Sequence, residues 1–317
     1  MHHYLTPQRY FIHHGTVRLG VISLGNPLHP TIVMLHGLRD TAVSLLPIAR
    51  QLTQPTPEFN GFHVLLLELR GHGRSDHTES YTFPAMVLDL HHLMQAQTAP
   101  CFLFGHSLGG NLVCKYSALF PEHVRAVVAV EGLGPPDHTR PPDQALQHYR
   151  NMLLDRLAHG RKSKVLADTN EAITRLMRGN PALEQAHAQE FAPFLLRPAG
   201  NTQGFEWNFD TRANSVFVGS SREDEARFWA GVQAPACLVS GSLSWQYWGR
   251  QFSGAQRQHA DWGRFDDQEM EARAAVFPDA EHHWFEASGH MVHYDEPARL
   301  GQLVRDFYHR HLNKTPD

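Results

Sequence analysis

Short apolar runs alternate with amphipathic stretches along most of the chain. Two β-rich segments, Tyr10–His14 and Thr16–Leu24, flank Gly15 and predict a hairpin. Later apolar runs predict strands over Thr31–Leu35, Phe62–Leu67, Cys101–Phe104, Val124–Val130, Ala236–Gly241 and His282–Phe285. Helical patterns lie near Ala42–Leu52, Pro84–Gln97, Leu108–Phe120, Asp266–Val276 and Pro297–Leu312. Continuous apolar strands joined by helices predict an α/β fold with a mostly parallel, doubly wound sheet.

The alternation stops at residues 132–136, where two glycines and two prolines end any regular element. From about Pro142 to Phe194 the sequence is charged and has helical spacing of its apolar residues. We therefore predict a core in two parts, residues 1–134 and 230–317. A helical cap is expected as an insertion at residues 135–229.

Composition narrows the class of protein. With 42% apolar residues in a chain of 317, the sequence is too hydrophobic for disorder. A formal charge of −4 and no basic stretch argue against a nucleic-acid partner. No apolar run approaches the ~18 residues that span a bilayer, and the N-terminus lacks a basic region followed by an apolar one. These features, together with three cysteines in apolar contexts, predict a globular cytoplasmic protein without a membrane partner.

Histidine is unusually frequent, with 24 in the chain, and several occur as adjacent pairs. Adjacent side chains point to different sides of a helix or strand, so such pairs chelate poorly. No HExxH pattern and no CxxC spacing is present. We expect neither a metal site nor a cofactor.

A candidate nucleophile lies where a predicted strand meets a predicted helix. The sequence Gly105-His106-Ser107-Leu108-Gly109 follows the apolar run that ends at Phe104. A strand-to-helix turn this sharp places its central residue in a strained conformation and requires small neighbours. Ser107 is therefore the predicted nucleophile, and a helix N-cap serine is the alternative.

A second glycine turn follows the strand Thr31–Leu35. The attack of a serine on a carbonyl creates an oxyanion, which two backbone N–H groups can stabilise. Leu108, directly after the nucleophile, and Leu38, in His36-Gly37-Leu38, are the predicted donors. We expect His36, Gly37 and His106 to contact the substrate beside them. The alternative for this segment is an ordinary turn that ends a strand.

The candidate base lies near the C-terminus, in Ala287-Ser288-Gly289-His290-Met291 after a predicted strand. A histidine on such a loop can accept the proton of a serine at a neighbouring strand end and return it to a leaving group. His290 is the predicted general base. His293, three residues later, competes for this role.

These motifs together resemble the α/β-hydrolase fold superfamily, in particular its capped serine hydrolases. The chain has HG after the third strand, GxSxG after the fifth, and GH before the last helix, in family order. Gly71-His72-Gly73-Arg74-Ser75 also resembles the family's RGHGxS loop. The resemblance covers residues 31–131 and 236–312 and implies a Ser-His-acid triad.

The acid departs from the common family pattern. The family's usual position is the loop after Ala236–Gly241, which here contains no carboxylate. Some members take the acid from the end of the sixth strand, where this chain has Glu131. Glu131 is the predicted acid; Asp266, Asp267 or no acid at all are alternatives. Glu131 could instead cap the turn at Gly132 or pair with an arginine.

The resemblance implies hydrolysis of a small carboxylic ester through an acyl-enzyme on Ser107. Thioester and carbon–carbon bond hydrolysis stay open, since the fold alone does not decide the substrate. Aromatic residues such as Trp207 and Trp229 are expected to line the substrate pocket, or else to form the cap's own core. Arg39 could bind a substrate carboxylate, or pair with Asp40 or Asp76. A catalytically silent relative that binds a ligand or partner under the cap is the alternative, and action on a membrane lipid is a weaker one.

Overall fold

A computed structural model of the chain describes residues 6–134, 165–200, 203–217, 221–251 and 267–313, together with residues 146, 147, 150 and 154. Ten strands are found in these ranges. They are β1 Gln8–His14, β2 Val17–Leu24, β3 Thr31–Leu35, β4 His63–Leu67, β5 Cys101–His106, β6 Val124–Val130, β7 Leu196–Pro198, β8 Phe205–Trp207, β9 Ala236–Gly241 and β10 Ala280–Phe285. Every predicted strand is present, and β3, β6 and β9 have the predicted bounds.

Eight of the strands form one sheet in the order β1-β2-β4-β3-β5-β6-β9-β10. Strand β2 pairs antiparallel with both β1 and β4, and all other pairs in the sheet are parallel. The chain moves from β3 to β4 on one side and then to β5 on the other side of β3. This reversal confirms the doubly wound sheet and places the carboxyl ends of β3, β5, β6, β9 and β10 along one edge.

Helices connect the strands and close both faces of the sheet. They span Leu46–Thr53, Phe83–Gln95, Leu108–Leu119, Thr169–Gly179, Gln185–Phe191, Arg222–Ala230, Ser244–Gln251, Asp267–Ala274, Val292–Asp295 and Pro297–Arg310. Side chains of the central strands alternate between two apolar clusters. Val33 and Leu35 face one cluster, whereas Ile32 and Met34 face the other. Burial on both faces explains why these strands are continuously apolar.

The chain between β6 and β9 contains a small unit of its own. Strands β7 and β8 pair antiparallel, and Leu166, Ala172, Ala192 and Leu196 form a separate apolar cluster. This unit contacts the core where the Asp210 N–H donates to the Gly71 carbonyl at 2.7 Å. Most of residues 135–164, where the predicted cap begins, lies outside the described residues, so the cap boundaries stay a prediction.

Helix Arg222–Ala230 packs against helix Leu108–Leu119 of the core. Trp229 on this helix is 1% exposed, and its ring stacks on Phe277 at a centroid distance of 6.2 Å. Our expectation that Trp229 lines a substrate pocket is therefore wrong. Its large apolar ring is instead buried in the main core, where it contributes to packing.

Within the described ranges, none of the helices combines the length and the apolar character needed to cross a bilayer.

Candidate active site

Ser107 occupies the turn between β5 and the helix that begins at Leu108. Its φ is 52°, in the region that non-glycine residues rarely adopt, and its N–H donates to the Val130 carbonyl at 2.8 Å. A Cβ at Gly105 would collide with the backbone of Gly109, so the strand and the helix can approach this closely only with glycine there. The turn therefore presents the half-buried Ser107 side chain at the carboxyl edge of the sheet.

His290 lies on the loop after β10 and reaches this serine across the sheet edge. Its Nε2 is 3.0 Å from the Ser107 Oγ, although 183 residues separate the two in sequence. The His290 backbone carbonyl accepts a hydrogen bond from His106 Nε2 at 2.8 Å, which ties this loop to the nucleophile turn. The histidine itself is 3% exposed.

Glu131 directly follows β6, and its side chain is fully buried. Its Oε2 lies 2.9 Å from His290 Nδ1, and its Oε1 accepts the Gly241 N–H at 2.7 Å. Gly241 is the last residue of β9. The loop after this strand lacks a carboxylate, but the N–H of Gly241 holds the Glu131 carboxylate in place. Within the described part of the chain, the side chain neither caps the turn at Gly132 nor pairs with an arginine.

The other candidate residues lie elsewhere. Asp267 is exposed on the helix that it begins, and Asp266 lies outside the described residues. His293 Nε2 is 3.1 Å from Asp40 Oδ2 and does not contact the serine. Ser107, His290 and Glu131 form the chain of contacts that we predicted, from a serine through a histidine to a carboxylate.

The contacts fix the direction in which a proton can move. The Glu131 carboxylate accepts the Nδ1–H of His290, which leaves Nε2 as an acceptor for the Ser107 hydroxyl. An imidazolium formed by proton transfer would face a buried anion at a distance of 2.9 Å. The arrangement can therefore generate a serine alkoxide equivalent and stabilise the charge left on histidine.

The glycine loop after β3 lies against the nucleophile. A Cβ at Gly37 would be 2.7 Å from His106 Nδ1 and 3.3 Å from Ser107 Cβ, so only glycine lets the loop approach this closely. Within the described ranges, neither the Leu38 N–H nor the Leu108 N–H donates to another protein group. Both are therefore free to donate to an oxyanion.

Two buried histidines hold this loop through their ring nitrogens. His36 donates from Nδ1 to the Gly37 carbonyl at 2.7 Å and accepts the Leu69 N–H at Nε2. His72 donates from Nδ1 to the Arg70 carbonyl and accepts the Arg39 N–H at Nε2, both at 3.0 Å. Burial lowers the pKa of His36 and lowers that of His72 to about 3. Both rings are thus neutral, and each can donate and accept at the same time.

The predicted substrate-contacting residues have different positions. His36 is fully buried with both nitrogens on backbone groups, and His106 is 1% exposed, so neither side chain faces a bound substrate. His36 instead donates to the backbone of the loop that carries Leu38, and His106 donates to the backbone of the loop that carries His290. Burial, followed by the neighbouring charges of His293 and His290, holds the pKa of His106 well below its usual value.

Arg39 and Trp207 both contact residues of the chain between β6 and β9. The Arg39 guanidinium is exposed, and its Nε donates to Asn214 Oδ1 at 3.0 Å. It pairs with neither Asp40 nor Asp76, which corrects the ion pairs we considered. Trp207 is half-buried in β8 and packs between the small unit and one face of the core.

Asp40 joins the glycine loop to the loop of His290. Its carboxylate accepts the Tyr294 hydroxyl and the Thr41 N–H at Oδ1, each at 2.8 Å, and the Ser44 hydroxyl at Oδ2, also at 2.8 Å. Burial raises the pKa of Asp40, but the hydrogen bond and charge of His293, the charge of His36 and the hydrogen bond from Ser44 together lower it more, so the pKa lies below its usual value.

Asp40, His106 and His293 also have possible metal-ligand atoms within 4.8 Å of one another. The carboxylate already accepts four hydrogen bonds, counting that of His293, which account for its burial without an ion.

Two aromatic residues beside the base were missed by the sequence analysis. Tyr247 stacks on the His290 ring with a centroid distance of 4.2 Å and an interplanar angle of 18°. Trp248 meets the same ring edge-on at 5.1 Å. Both belong to helix Ser244–Gln251, in the segment that lacks the expected acid. The aromatic run that begins at Trp245 is the signal that could have indicated them.

The chain is similar in sequence to known lipases and esterases. The chain is 25% identical to the sn-1-specific diacylglycerol lipase ABHD11 of Mus musculus over 288 residues, which cover 89% of this chain and 82% of that protein. A shorter match to ABHD11 of Xenopus laevis is 37% identical over 108 residues and spans about a third of each protein, 34% and 33%. Esterase YbfF of Escherichia coli K12 is 26% identical over 287 residues, covering 89% of this chain and 92% of its own.

Solved structures show the same fold. The thioesterase domain from the curacin biosynthetic pathway superposes with a TM-score of 0.77 at 20% identity, covering 94% of this chain and 99% of that one. The model of the alpha/beta hydrolase fold family matches residues 30–297, a range that includes all four sequence motifs and the contacts from Ser107 to Glu131. The chain therefore belongs to the α/β-hydrolase fold family.

Proposed function

We propose that this protein is a serine hydrolase that cleaves small carboxylic esters through an acyl-enzyme on Ser107. The observation that carries the proposal is the continuous contact from Ser107 Oγ to His290 Nε2 at 3.0 Å and from His290 Nδ1 to Glu131 at 2.9 Å. Ester chemistry is favoured because relatives that align over most of this chain are named as an esterase and a lipase.

In the first half of the reaction, Ser107 Oγ attacks the ester carbonyl while its proton passes to His290 Nε2. The carbonyl oxygen becomes an oxyanion, which the N–H groups of Leu38 and Leu108 stabilise. The tetrahedral intermediate then collapses: the bond to the alcohol oxygen breaks, and His290 transfers its proton to that oxygen. The alcohol leaves, and the acyl group stays on Ser107.

In the second half, a water molecule replaces the alcohol. His290 takes a proton from the water as its oxygen attacks the acyl carbon, and the same two N–H groups stabilise the second oxyanion. Collapse breaks the bond to Ser107 Oγ, which regains its proton from His290. The carboxylic acid is released. Glu131 accepts the Nδ1–H of His290 throughout and stabilises the imidazolium formed in each half.

Labelling with a fluorophosphonate probe tests the nucleophile. The wild type should label at Ser107, as located by peptide mass spectrometry, and labelling should be lost in Ser107→Ala and His290→Ala. Asp267→Asn, which changes an exposed carboxylate, serves as the matched control and should label like the wild type. Failure of the wild type to label would favour the alternative of a catalytically silent relative that binds a ligand.

A panel of short-chain esters tests the reaction class. We expect turnover of butyrate esters that is abolished by Ser107→Ala. Hydrolysis of a thioester analogue and no oxygen ester would assign the protein to thioesterase chemistry instead.

A further inference from the structure

Helix Ser244–Gln251 brings two aromatic rings to the candidate base. The Tyr247 ring covers one face of the His290 imidazole at 4.2 Å, and the Trp248 ring meets it edge-on at 5.1 Å. These two rings also contact each other edge-to-face, with centroids 5.1 Å apart. Together they form an aromatic corner, defined here as Tyr247 and Trp248.

The chemistry of the proposed reaction gives this corner a specific neighbour. His290 Nε2 must come within about 2.6–3.2 Å of the alcohol oxygen in order to protonate it. The substituent on that oxygen therefore lies beside the imidazole. A ring whose centroid is 4–5 Å from the imidazole is within contact distance of a substituent that extends from the oxygen.

Exposure is consistent with a role in binding. Tyr247 and Trp248 are both half-buried, as is Ser107. The first turn of the same helix carries Trp245, which is 58% exposed and has no ring contact with the base. The helix thus directs one pair of aromatic residues to the site and leaves a third in solvent, where it can serve as a control.

We propose that Tyr247 and Trp248 form the leaving-group subsite and make the enzyme selective for esters of aromatic alcohols. This inference rests on the proposed ester hydrolysis. Aromatic groups pair favourably with aromatic side chains in offset-stacked or edge-to-face geometry, beyond the area they bury. The corner places two aromatic rings beside the leaving group, and a small aliphatic alcohol cannot pair with them in this way.

Two esters with the same acyl group test the selectivity. Benzyl butyrate and ethyl butyrate give the same butyryl-enzyme, so any difference in kcat/KM arises before the acyl-enzyme forms. We expect the wild type to favour benzyl butyrate by about tenfold. Tyr247→Ala and Trp248→Ala should each reduce this ratio toward one, Tyr247→Phe should keep it, and Trp245→Ala should leave it unchanged.

The ratio separates selectivity from general damage. A variant that is partly unfolded or that misplaces His290 loses activity toward both esters equally, so its ratio stays at the wild-type value. An unchanged ratio in both alanine variants would therefore overturn the subsite. Equal use of the two esters by the wild type would also overturn it and would leave the proposed hydrolysis standing. A wild type that neither hydrolyses an ester nor labels at Ser107 would overturn both.

Discussion

Replacing Glu131 with glutamine removes one acceptor from a buried group that uses both of its oxygens. The carboxylate accepts the His290 Nδ1–H at 2.9 Å and the Gly241 N–H at 2.7 Å. Glutamine has the same shape but offers one oxygen and one amide NH2. One of the two donors must therefore face another donor in a site without solvent exposure.

Either orientation of the new amide has a defined cost. If its oxygen stays on Gly241, the NH2 faces Nδ1 and favours the histidine tautomer that carries its proton on Nε2, which cannot accept from Ser107. If the amide is reversed, the buried Gly241 N–H loses its acceptor, which costs about 1–3 kcal/mol of stability. In both cases the imidazolium loses its buried anion. We expect a fall in kcat of about 10⁴, or about 5.4 kcal/mol in activation free energy.

The assay is steady-state hydrolysis of a butyrate ester, with the rate of fluorophosphonate labelling at Ser107 as a second measure. Thermal unfolding of each variant shows whether the fold is intact, and Asp267→Asn provides the matched loss of a carboxylate. A well-folded Glu131→Gln enzyme that keeps a tenth or more of wild-type kcat would refute the role of Glu131 as the triad acid.

Three further predictions concern stability, each measured by urea unfolding. Gly105→Ala should destabilise the fold by at least about 1–3 kcal/mol, because its Cβ would collide with the Gly109 backbone. Burial lowers the pKa of His72 to about 3, below the ~6.5 of an unfolded histidine. As the pH falls from 6.5 toward 3, the unfolded state binds a proton that the folded state does not, so the free energy of unfolding should fall. His72→Gln should lack the part of this decrease that His72 causes. Lys115→Met leaves the buried Glu225 without its cation and should cost about 3–5 kcal/mol, most of which the double variant with Glu225→Leu should restore.

Each of these has a result that contradicts it. A Gly105→Ala protein as stable as the wild type would mean that the strand and helix can separate without cost. Parallel pH dependence of the wild type and His72→Gln would show that His72 is protonated in the folded protein. A single Lys115→Met variant with wild-type stability would show that Glu225 finds another partner or is reached by water.

The fold could be predicted from local pattern because the pattern follows directly from burial. Strands β3, β6 and β9 are buried on both faces, and their continuous apolar runs have the predicted bounds. Ser107 could also be predicted from the sequence, because a serine flanked by glycines between a strand and a helix has few alternative roles. His290 could be proposed from its place after the last strand.

The acid depended on tertiary structure. Glu131 and Asp267 are both carboxylates near predicted element ends, and the sequence offers no measure of their distance to His290. Parallel pairing of β6 with β9 brings the end of β6 beside Gly241, whose N–H then orients the carboxylate. Asp267 is instead exposed, and the carboxylate that contacts His290 Nδ1 is that of Glu131.

The environment of the base was decided in the same way. Trp229 and Tyr247 are both aromatic residues on helices, yet one is packed in the core on Phe277 and the other lies on His290. Helical periodicity shows which residues share a face but not which element that face meets. The sequence by itself determined the strands, the strained serine turn and the loops at one sheet edge, because these follow from local burial and backbone geometry. Only the tertiary structure placed Glu131 and the aromatic ring of Tyr247 beside His290, because both contacts join segments about 40 to 160 residues apart.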